Sequence, residues 1–198
     1  MDSKETIMEA AISLIEEKGD CLEEITMREI SKRAGVGLGL INYHFENKEK
    51  LIELCVERII NGIVEKFRGM KECVKDRTPF EKLDALGNMT LTFLFEHRAV
   101  SKISILSDMR FPQEYDNTRL TMQAYLPLVA DCRPDWDEEK VYQMTYCLIS
   151  CMQSVFLRAD VLLQTRGIDL RNEKERSAFY TKMLKNIVSA ETEERTAR

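Results

Sequence analysis

The segment 28–48 contains side chains with the hydrogen-bonding chemistry that a nucleic-acid contact requires, among them Arg28, Asn42, Tyr43, His44 and Lys48. The guanidinium of Arg28 can donate two hydrogen bonds to one guanine, and the side-chain amide of Asn42 can pair with an adenine. Tyr43, His44 and Lys48 carry donors suited to phosphate oxygens, which position a protein on a duplex without reading its sequence. These residue types indicate DNA binding only if the chain presents them on one surface.

The segment 26–45 has the spacing of two short helices joined by a tight turn. Thr26 lies three residues before Glu29 and ahead of an apolar run, which is the pattern of a capping box at a helix start. Gly35 can end that helix in a left-handed backbone conformation. The helical pattern resumes at Leu38, so the segment predicts a helix-turn-helix unit.

A helix-turn-helix unit places the first residues of its second helix at base edges in the major groove. Gly37 and Gly39 have no side chain and would permit close approach of the backbone, while Leu38 can offer only an apolar contact, such as one to a thymine methyl. Lys48 follows Asn47, the expected cap of the next helix, so its charge adds to free backbone N–H groups in holding a phosphate. With few direct base readers, part of the specificity is expected to come from DNA shape.

The charge distribution is compatible with this interpretation but does not require it. The chain of 198 residues has a net charge of −5, and residues 1–25 hold two Lys and eight Asp or Glu. Residues 26–51 reverse the balance, with five Lys or Arg and three Glu. The field of the contacting face decides DNA binding, so a locally basic unit inside an acidic chain is acceptable. A structural helical hairpin with a solvated polar face remains the alternative.

Composition and periodicity predict an all-α fold. Only 8 Gly and 4 Pro interrupt the chain, and apolar residues recur at spacings of three and four. The six cysteines form no CxxC pair, no apolar run of about 18 residues occurs and the N-terminus lacks a targeting pattern, so we expect a cytoplasmic protein without a membrane partner. The pattern predicts two domains, a helix-turn-helix domain at residues 1–50 and a larger helical domain at residues 51–198.

The predicted helices run from about Ser3 to Gly19, across the helix-turn-helix unit, and from Asn47 to about Val74. Later helices are expected at about 78–96, 99–109, 114–130, 135–164 and 172–190, followed by a polar tail. Pro127 removes one backbone hydrogen bond and should kink or end its helix.

The second half offers candidates for a ligand pocket and for a dimer interface. An adaptable apolar pocket could be lined by Met89, Thr90, Phe93, Met109, Met122, Tyr125 and Met144, although an ordinary core explains most of these residues equally well. The last helix carries two adjacent apolar stripes and should therefore have two packing partners, one of them a second copy of the chain. The predicted dimer interface consists of Val155, Phe179, Met183, Leu184 and Ile187.

The stretch TMREISKRAGVGLGLINYHFENKEKL resembles the DNA-binding signature of the TetR family of transcriptional regulators. The resemblance covers about residues 5–55 and implies an all-helical homodimer. It assigns DNA binding to the domain at residues 1–50, and ligand sensing and dimerisation to the domain at residues 51–198. It also implies a repressor released from a palindromic DNA operator by an unknown small molecule. It assigns to the DNA-facing set Thr26, Arg28, Gly37, Leu38, Gly39, Asn42, Tyr43, His44 and Lys48.

This chain departs from the family pattern at three positions. Ser31 stands where the family usually has Ala, which is harmless if its hydroxyl bonds back to the preceding turn. Asn42 and Leu38 replace residue types that are common in the family, so no relative supplies the operator sequence.

An enzyme or a helical protein-binding adaptor would be the alternative to a regulator. The chain has two histidines, His44 and His97, and lacks the GxSxG, HExxH and Walker A patterns. We therefore predict no catalytic residues, no metal and no cofactor. Cys147 and Cys151 share one helix face and could sense a metal or an oxidant, but inert buried thiols are the simpler interpretation.

Overall fold

The computed structural model describes residues 2–18, 24–69 and 76–189, and confirms the all-α fold. This part of the chain contains no strand and forms α1 (Ser3–Lys18), α2 (Met27–Ala34), α3 (Leu38–Phe45), α4 (Lys48–Gly69), α5 (Pro79–Glu96), α6 (Arg98–Arg110), α7 (Asn117–Cys132), α8 (Glu138–Leu157), α9 (Ala159–Arg166) and α10 (Glu173–Ser189). The predicted end of the first helix at Gly19, the end of the fourth near Val74 and the polar tail lie outside the described residues.

Several helices begin at the side-chain caps that the sequence predicts. At α5 the backbone N–H of Thr78 donates to Glu81 Oε2 at 2.8 Å, and the N–H of Glu81 donates to Thr78 Oγ1 at 3.3 Å. At α4 Asn47 Oδ1 accepts from the N–H of Lys50 at 2.8 Å, and at α10 Asn172 Oδ1 accepts from backbone N–H groups of the first turn. These caps satisfy N–H groups that have no partner within the helix.

One segment differs from the sequence prediction, and a second excludes one of two predicted alternatives. The helix predicted at 135–164 is two helices, since α8 ends at Leu157 and α9 begins after Arg158 with a bend of 72°. The helix containing Pro127 is not ended by it but continues to Cys132, with the buried Tyr125 and Val129 anchoring the turns around the proline. A kink at Pro127, the other effect expected of the proline, stays a prediction.

The described chain contains no single helix that is long and apolar enough to cross a membrane. Only α8 and α9 together pass such a test of length and composition, as a bent pair.

Packing divides the chain into two compact units, of which unit 1 comprises Met1–Lys71 and His97–Pro112. Its core joins residues of α1 to α4 with Ala99 and Val100 of α6. The largest fully buried side chains of the helix-turn-helix part are Ile30, Ile41 and Phe45. Unit 1 therefore extends beyond the predicted boundary at residue 50, because α4 and α6 pack on the N-terminal helices. The boundary of the DNA-binding function stays a prediction.

Unit 2 comprises Glu72–Glu96 and Gln113–Arg198. Its core is formed by α5, α7, α8 and α10. Tyr180 of α10 packs directly over Gly87 of α5, where a Cβ atom would lie 1.8 Å from the tyrosine Oη. Only glycine permits this close approach, and it brings Tyr180 Oη to within 3.4 Å of the Leu83 carbonyl oxygen, to which it donates.

Candidate nucleic-acid interface

The start of α2 is fixed by the predicted capping box. The N–H of Glu29 donates to Thr26 Oγ1 at 3.2 Å, and the N–H of Thr26 donates to Glu29 Oε2 at 2.9 Å. Lys18 of α1 donates to Glu29 Oε1 at 3.0 Å, and the hydrogen bonds from Lys18 and Thr26 lower the pKa of Glu29. Thr26 is exposed, but its hydroxyl belongs to the cap.

The turn between α2 and α3 is closed by backbone and side-chain bonds to one residue. Gly35 adopts the predicted left-handed conformation, with φ 66° and ψ 27°, and its N–H donates to the Ser31 carbonyl. The N–H of Val36 donates to the same carbonyl at 3.1 Å. The hydroxyl of Ser31 donates forward to the Val36 carbonyl at 2.6 Å, whereas a bond back to the preceding turn was considered from the sequence.

The first turn of α3 lies open to solvent while its last residues anchor it. Ile41 and Phe45 are buried, whereas Leu38 and Leu40 are 39% and 37% exposed and Tyr43 is 82% exposed. A Cβ atom built at Gly39 would meet no heavy atom within 4 Å, and the same holds at Gly37. The fold itself therefore does not require glycine at these two positions.

The structure places the predicted DNA-facing residues on α2, α3 and the start of α4, all in unit 1. Arg28 and Asn42 are exposed, like Tyr43, while Lys48 is half-buried. His44 is also half-buried, and its Nε2 lies 2.9 Å from Ser3 Oγ of α1. One ring nitrogen of His44 is thus engaged within unit 1, and whether it donates or accepts depends on the tautomer of the ring.

Part of the basic charge of this segment is paired within unit 1. Arg33 forms a two-point ion pair with Glu17 of α1, in which Arg33 Nη2 donates to Glu17 Oε2 at 2.7 Å. The bonded guanidinium lowers the pKa of Glu17. Lys50 donates to Glu53 Oε2 at 2.9 Å. Acidic partners on the surface therefore neutralise part of the small basic excess of residues 26–51.

Two exposed residues of this surface were not singled out by the sequence. Lys32 lies four residues after Arg28 on α2, a spacing that places both on one helix face. That spacing was the signal that could have identified it. Leu40 is exposed in the first turn of α3 beside Leu38.

All the residues of the predicted ligand pocket except Met109 belong to unit 2. Tyr125 Oη donates to Thr90 Oγ1 at 2.7 Å, and burial raises the pKa of Tyr125. Met122 is buried in the same core, Met144 packs against it, and Met89 and Phe93 are half-buried on α5. Met109 is 54% exposed on α6 of unit 1 and is not part of this core, so its place in a ligand pocket stays a prediction.

One groove of unit 2 has a volume of about 340 Å³, and it involves none of the predicted pocket residues. It lies along α5 and α10 and is lined by Arg77, Phe80, Glu81, Asp84, Ala85, Asn88 and Ser177.

The predicted dimer residues fall into two classes. Val155 of α8 is half-buried, as are Phe179, Met183 and Ile187, which form a stripe along α10. Leu184 is fully buried in the core of unit 2 and cannot contact a second copy, so its place in the interface is corrected. It belongs to the neighbouring stripe, which faces inward.

The thiols of the described residues differ in environment. Cys147 and Cys151 are exposed on α8, which contradicts the simpler interpretation of buried thiols. Cys55 is buried, and burial raises its pKa to about 12. No group of three or more His, Cys, Asp or Glu among the described side chains could hold a metal ion.

Known proteins resemble this chain in sequence and in fold. A family model described as "Bacterial regulatory proteins, tetR family" matches residues 7–55. The HTH-type transcriptional regulator SAB2452 of Staphylococcus aureus is 31% identical over 72 residues, which are 36% of this chain and 38% of that protein. The HTH-type transcriptional regulator BetI of Klebsiella pneumoniae is 24% identical over 157 residues, which are 77% of this chain and 80% of that protein.

The whole chain also has the fold of a solved regulator. The crystal structure of a TetR-like transcriptional regulator from Rhodococcus sp. RHA1 superimposes with a TM-score of 0.61 at 14% identity, over 99% of this chain and 97% of that one. The matched segment 7–55 contains the capped α2, the Gly35 turn and the open first turn of α3. The chain is therefore similar to the TetR family of bacterial regulatory proteins in its segment 7–55, and it shares the fold of a TetR-like regulator.

Proposed function

We propose that this chain binds double-stranded DNA through α2 and α3 and regulates transcription from a palindromic operator. The observation that carries the proposal is the first turn of α3, which is exposed and has open space at both glycines. Such a turn can approach the floor of the major groove without a clash from side chains. Arg28 and Asn42 then supply base contacts, and Tyr43, His44 and Lys48 supply phosphate contacts.

The proposed regulator is a homodimer, and the outer face of α8 supports this. The segment from Val141 to Leu157 contains no charged residue, although α8 has a solvent-exposed side. On that side Tyr142 and Tyr146 are each 53% exposed. An uncharged aromatic face is typical of a protein interface and not of a solvated helix surface. Two copies joined through α8 and the half-buried stripe of α10 would present two reading units to half-sites about 34 Å apart.

We further propose that a small molecule binds in unit 2 and releases the protein from DNA, so that the protein acts as a repressor. Three methionines, Met89, Met122 and Met144, accompany the hydrogen-bonded pair of Tyr125 and Thr90. Methionine side chains can repack around a ligand, and a buried hydroxyl pair can exchange its bond for one to a ligand oxygen. The proposal includes a cytoplasmic location and no catalytic activity.

Selection from a random duplex library by the purified chain, without added effector, tests the DNA-binding proposal. We expect enrichment of a palindrome whose affinity falls as salt rises, because released counterions contribute to binding. Arg28→Ala is the matched variant, and we expect it to enrich a relaxed sequence at one position of each half-site. A library without any enriched sequence after selection by the wild-type chain would refute the proposal.

A further inference from the structure

We infer that Ser31 and Ser3 are positioning residues that set the orientation of α3 from its two ends. The inference rests on the proposed DNA binding, since it concerns how that surface is held. Neither serine is expected to contact DNA through its hydroxyl, because both hydroxyls are engaged within unit 1.

Ser31 is hydrogen-bonded to both backbone polar groups of Val36, the residue before the N-cap of α3. The carbonyl of Ser31 accepts from the N–H of Val36 at 3.1 Å, and its hydroxyl donates to the carbonyl of Val36 at 2.6 Å. An alanine at position 31 would keep the first bond and lose the second. The hydroxyl bond thus adds a restraint that the helix-ending turn alone does not provide.

This restraint acts where α3 has no side-chain cap of its own. Gly37 is the N-cap residue of α3, with φ −70° and ψ 144°, and it offers no side chain to the free N–H groups. The path from α2 into α3 is therefore determined by Val36 and by the bonds that hold it. Val36 itself is half-buried against the core of unit 1.

Ser3 acts at the other end of α3. Its Oγ lies 2.9 Å from His44 Nε2, and His44 is the penultimate residue of the helix. The contact links α3 to the first turn of α1 and fixes the orientation of the imidazole ring. The adjacent Tyr43 ring packs edge-on against that imidazole, with ring centroids 5.2 Å apart.

A helix held at both ends keeps its base-reading residues in register with the groove. The eight residues of α3 span roughly 12 Å at 1.5 Å per residue, so a small rotation at one end displaces residues at the other. Specific binding needs hydrogen bonds to base edges within about 3 Å, whereas binding to random DNA depends mainly on charge. Loss of either contact should therefore weaken specific binding more than nonspecific binding.

The test compares Ser31→Ala and Ser3→Ala with wild type on two probes, a duplex selected by the wild-type chain and a random duplex of equal length. Each variant should bind the selected duplex about fivefold more weakly, as expected for loss of one hydrogen bond, and the random duplex almost unchanged. Ser31→Thr restores the hydroxyl and should recover most of the affinity. Ser13→Ala is the matched control, because it removes a unit 1 hydroxyl that bonds Glu17 and Arg33.

Thermal unfolding of each variant separates positioning from folding. Alanine favours helix more than serine does, which offsets part of the loss of the Ser31 hydrogen bond, so Ser31→Ala should unfold close to the wild-type temperature. Equal affinity of the wild type and both alanine variants for the selected duplex would overturn the inference while leaving DNA binding intact. A parallel loss on both duplexes, or a loss that Ser31→Thr does not recover, would also overturn it. Failure of the wild type to bind any duplex would overturn both the inference and the proposed function.

Discussion

The substitution Gly39→Ala should stabilise the fold and weaken DNA binding at the same time. Gly39 lies in the first turn of α3, and an added Cβ would meet no heavy atom within 4 Å. Alanine loses less backbone entropy than glycine on forming a helix, which is worth about 0.5–1 kcal/mol. For a chain of 198 residues this corresponds to a rise in Tm of roughly 1–4 °C.

The same methyl group should be unfavourable against DNA. The first turn of α3 is the part that the proposed function places at the base edges, where the backbone must approach closely. Forcing a methyl into a packed contact costs about 1–3 kcal/mol, which corresponds to roughly a 5- to 150-fold loss of affinity. The opposite signs are informative, because a variant that merely damaged the fold would lose both stability and affinity.

Thermal unfolding by circular dichroism and titration of a labelled, selected duplex by fluorescence anisotropy would measure the two effects. A random duplex serves as the control and should show a smaller loss. A stabilised Gly39→Ala variant that binds the selected duplex as tightly as wild type would refute the placement of this turn in the groove. A lowered Tm would refute the interpretation of the space around Gly39.

Three further substitutions probe other parts of the molecule. Lys48→Ala should weaken binding to all duplexes and lower the salt slope by about one unit, measured by titration at several salt concentrations; an unchanged slope would argue against a phosphate contact. Tyr146→Glu places a charge on the uncharged face of α8, so light scattering should show monomers, and thermal unfolding should show the wild-type Tm. A dimer that persists in this variant would indicate another interface. Gly87→Ala inserts a Cβ at 1.8 Å from Tyr180 Oη and should cost about 1–3 kcal/mol of stability by denaturant unfolding, whereas wild-type stability would contradict the close packing.

Features encoded by neighbouring residues could be predicted from the sequence. Thr26 and Glu29 cap α2, and Gly35 ends it in a left-handed conformation, because each requirement is met within a few residues. Asn47 caps α4 for the same reason. The burial of Ile41 follows from the helical period, so it could also be predicted from the sequence.

Features decided by distant parts of the chain could not be predicted in this way. Leu184 and Ile187 lie on adjacent stripes of one helix, and only the packing of α10 against unit 2 shows that the first is core. Met109 is exposed because of the way α6 packs in unit 1, and the spacing of residues along the chain does not indicate that packing. The direction of the Ser31 hydroxyl depends on the geometry of the turn, since two acceptors were available to it.

For the proposed DNA-binding surface, the sequence predicted the two helices and their exposed residues, but not all of the contacts that hold those residues. Arg28, Asn42 and Tyr43 are exposed as the sequence suggests. The engagement of His44 by Ser3 was missed, because the two residues are 41 positions apart. Local spacing determines which residues α3 presents, while contacts with α1 determine how they are held.

Binding to a selected duplex with and without N7-methylated guanines tests most directly whether α3 reads the major groove. Guanine N7 faces that groove, so its methylation blocks contacts there and leaves the minor groove unchanged. The proposed function predicts that methylation within either half-site sharply weakens binding of the wild-type chain, and that Arg28→Ala reduces this sensitivity. Equal affinity for methylated and unmethylated duplexes would contradict it.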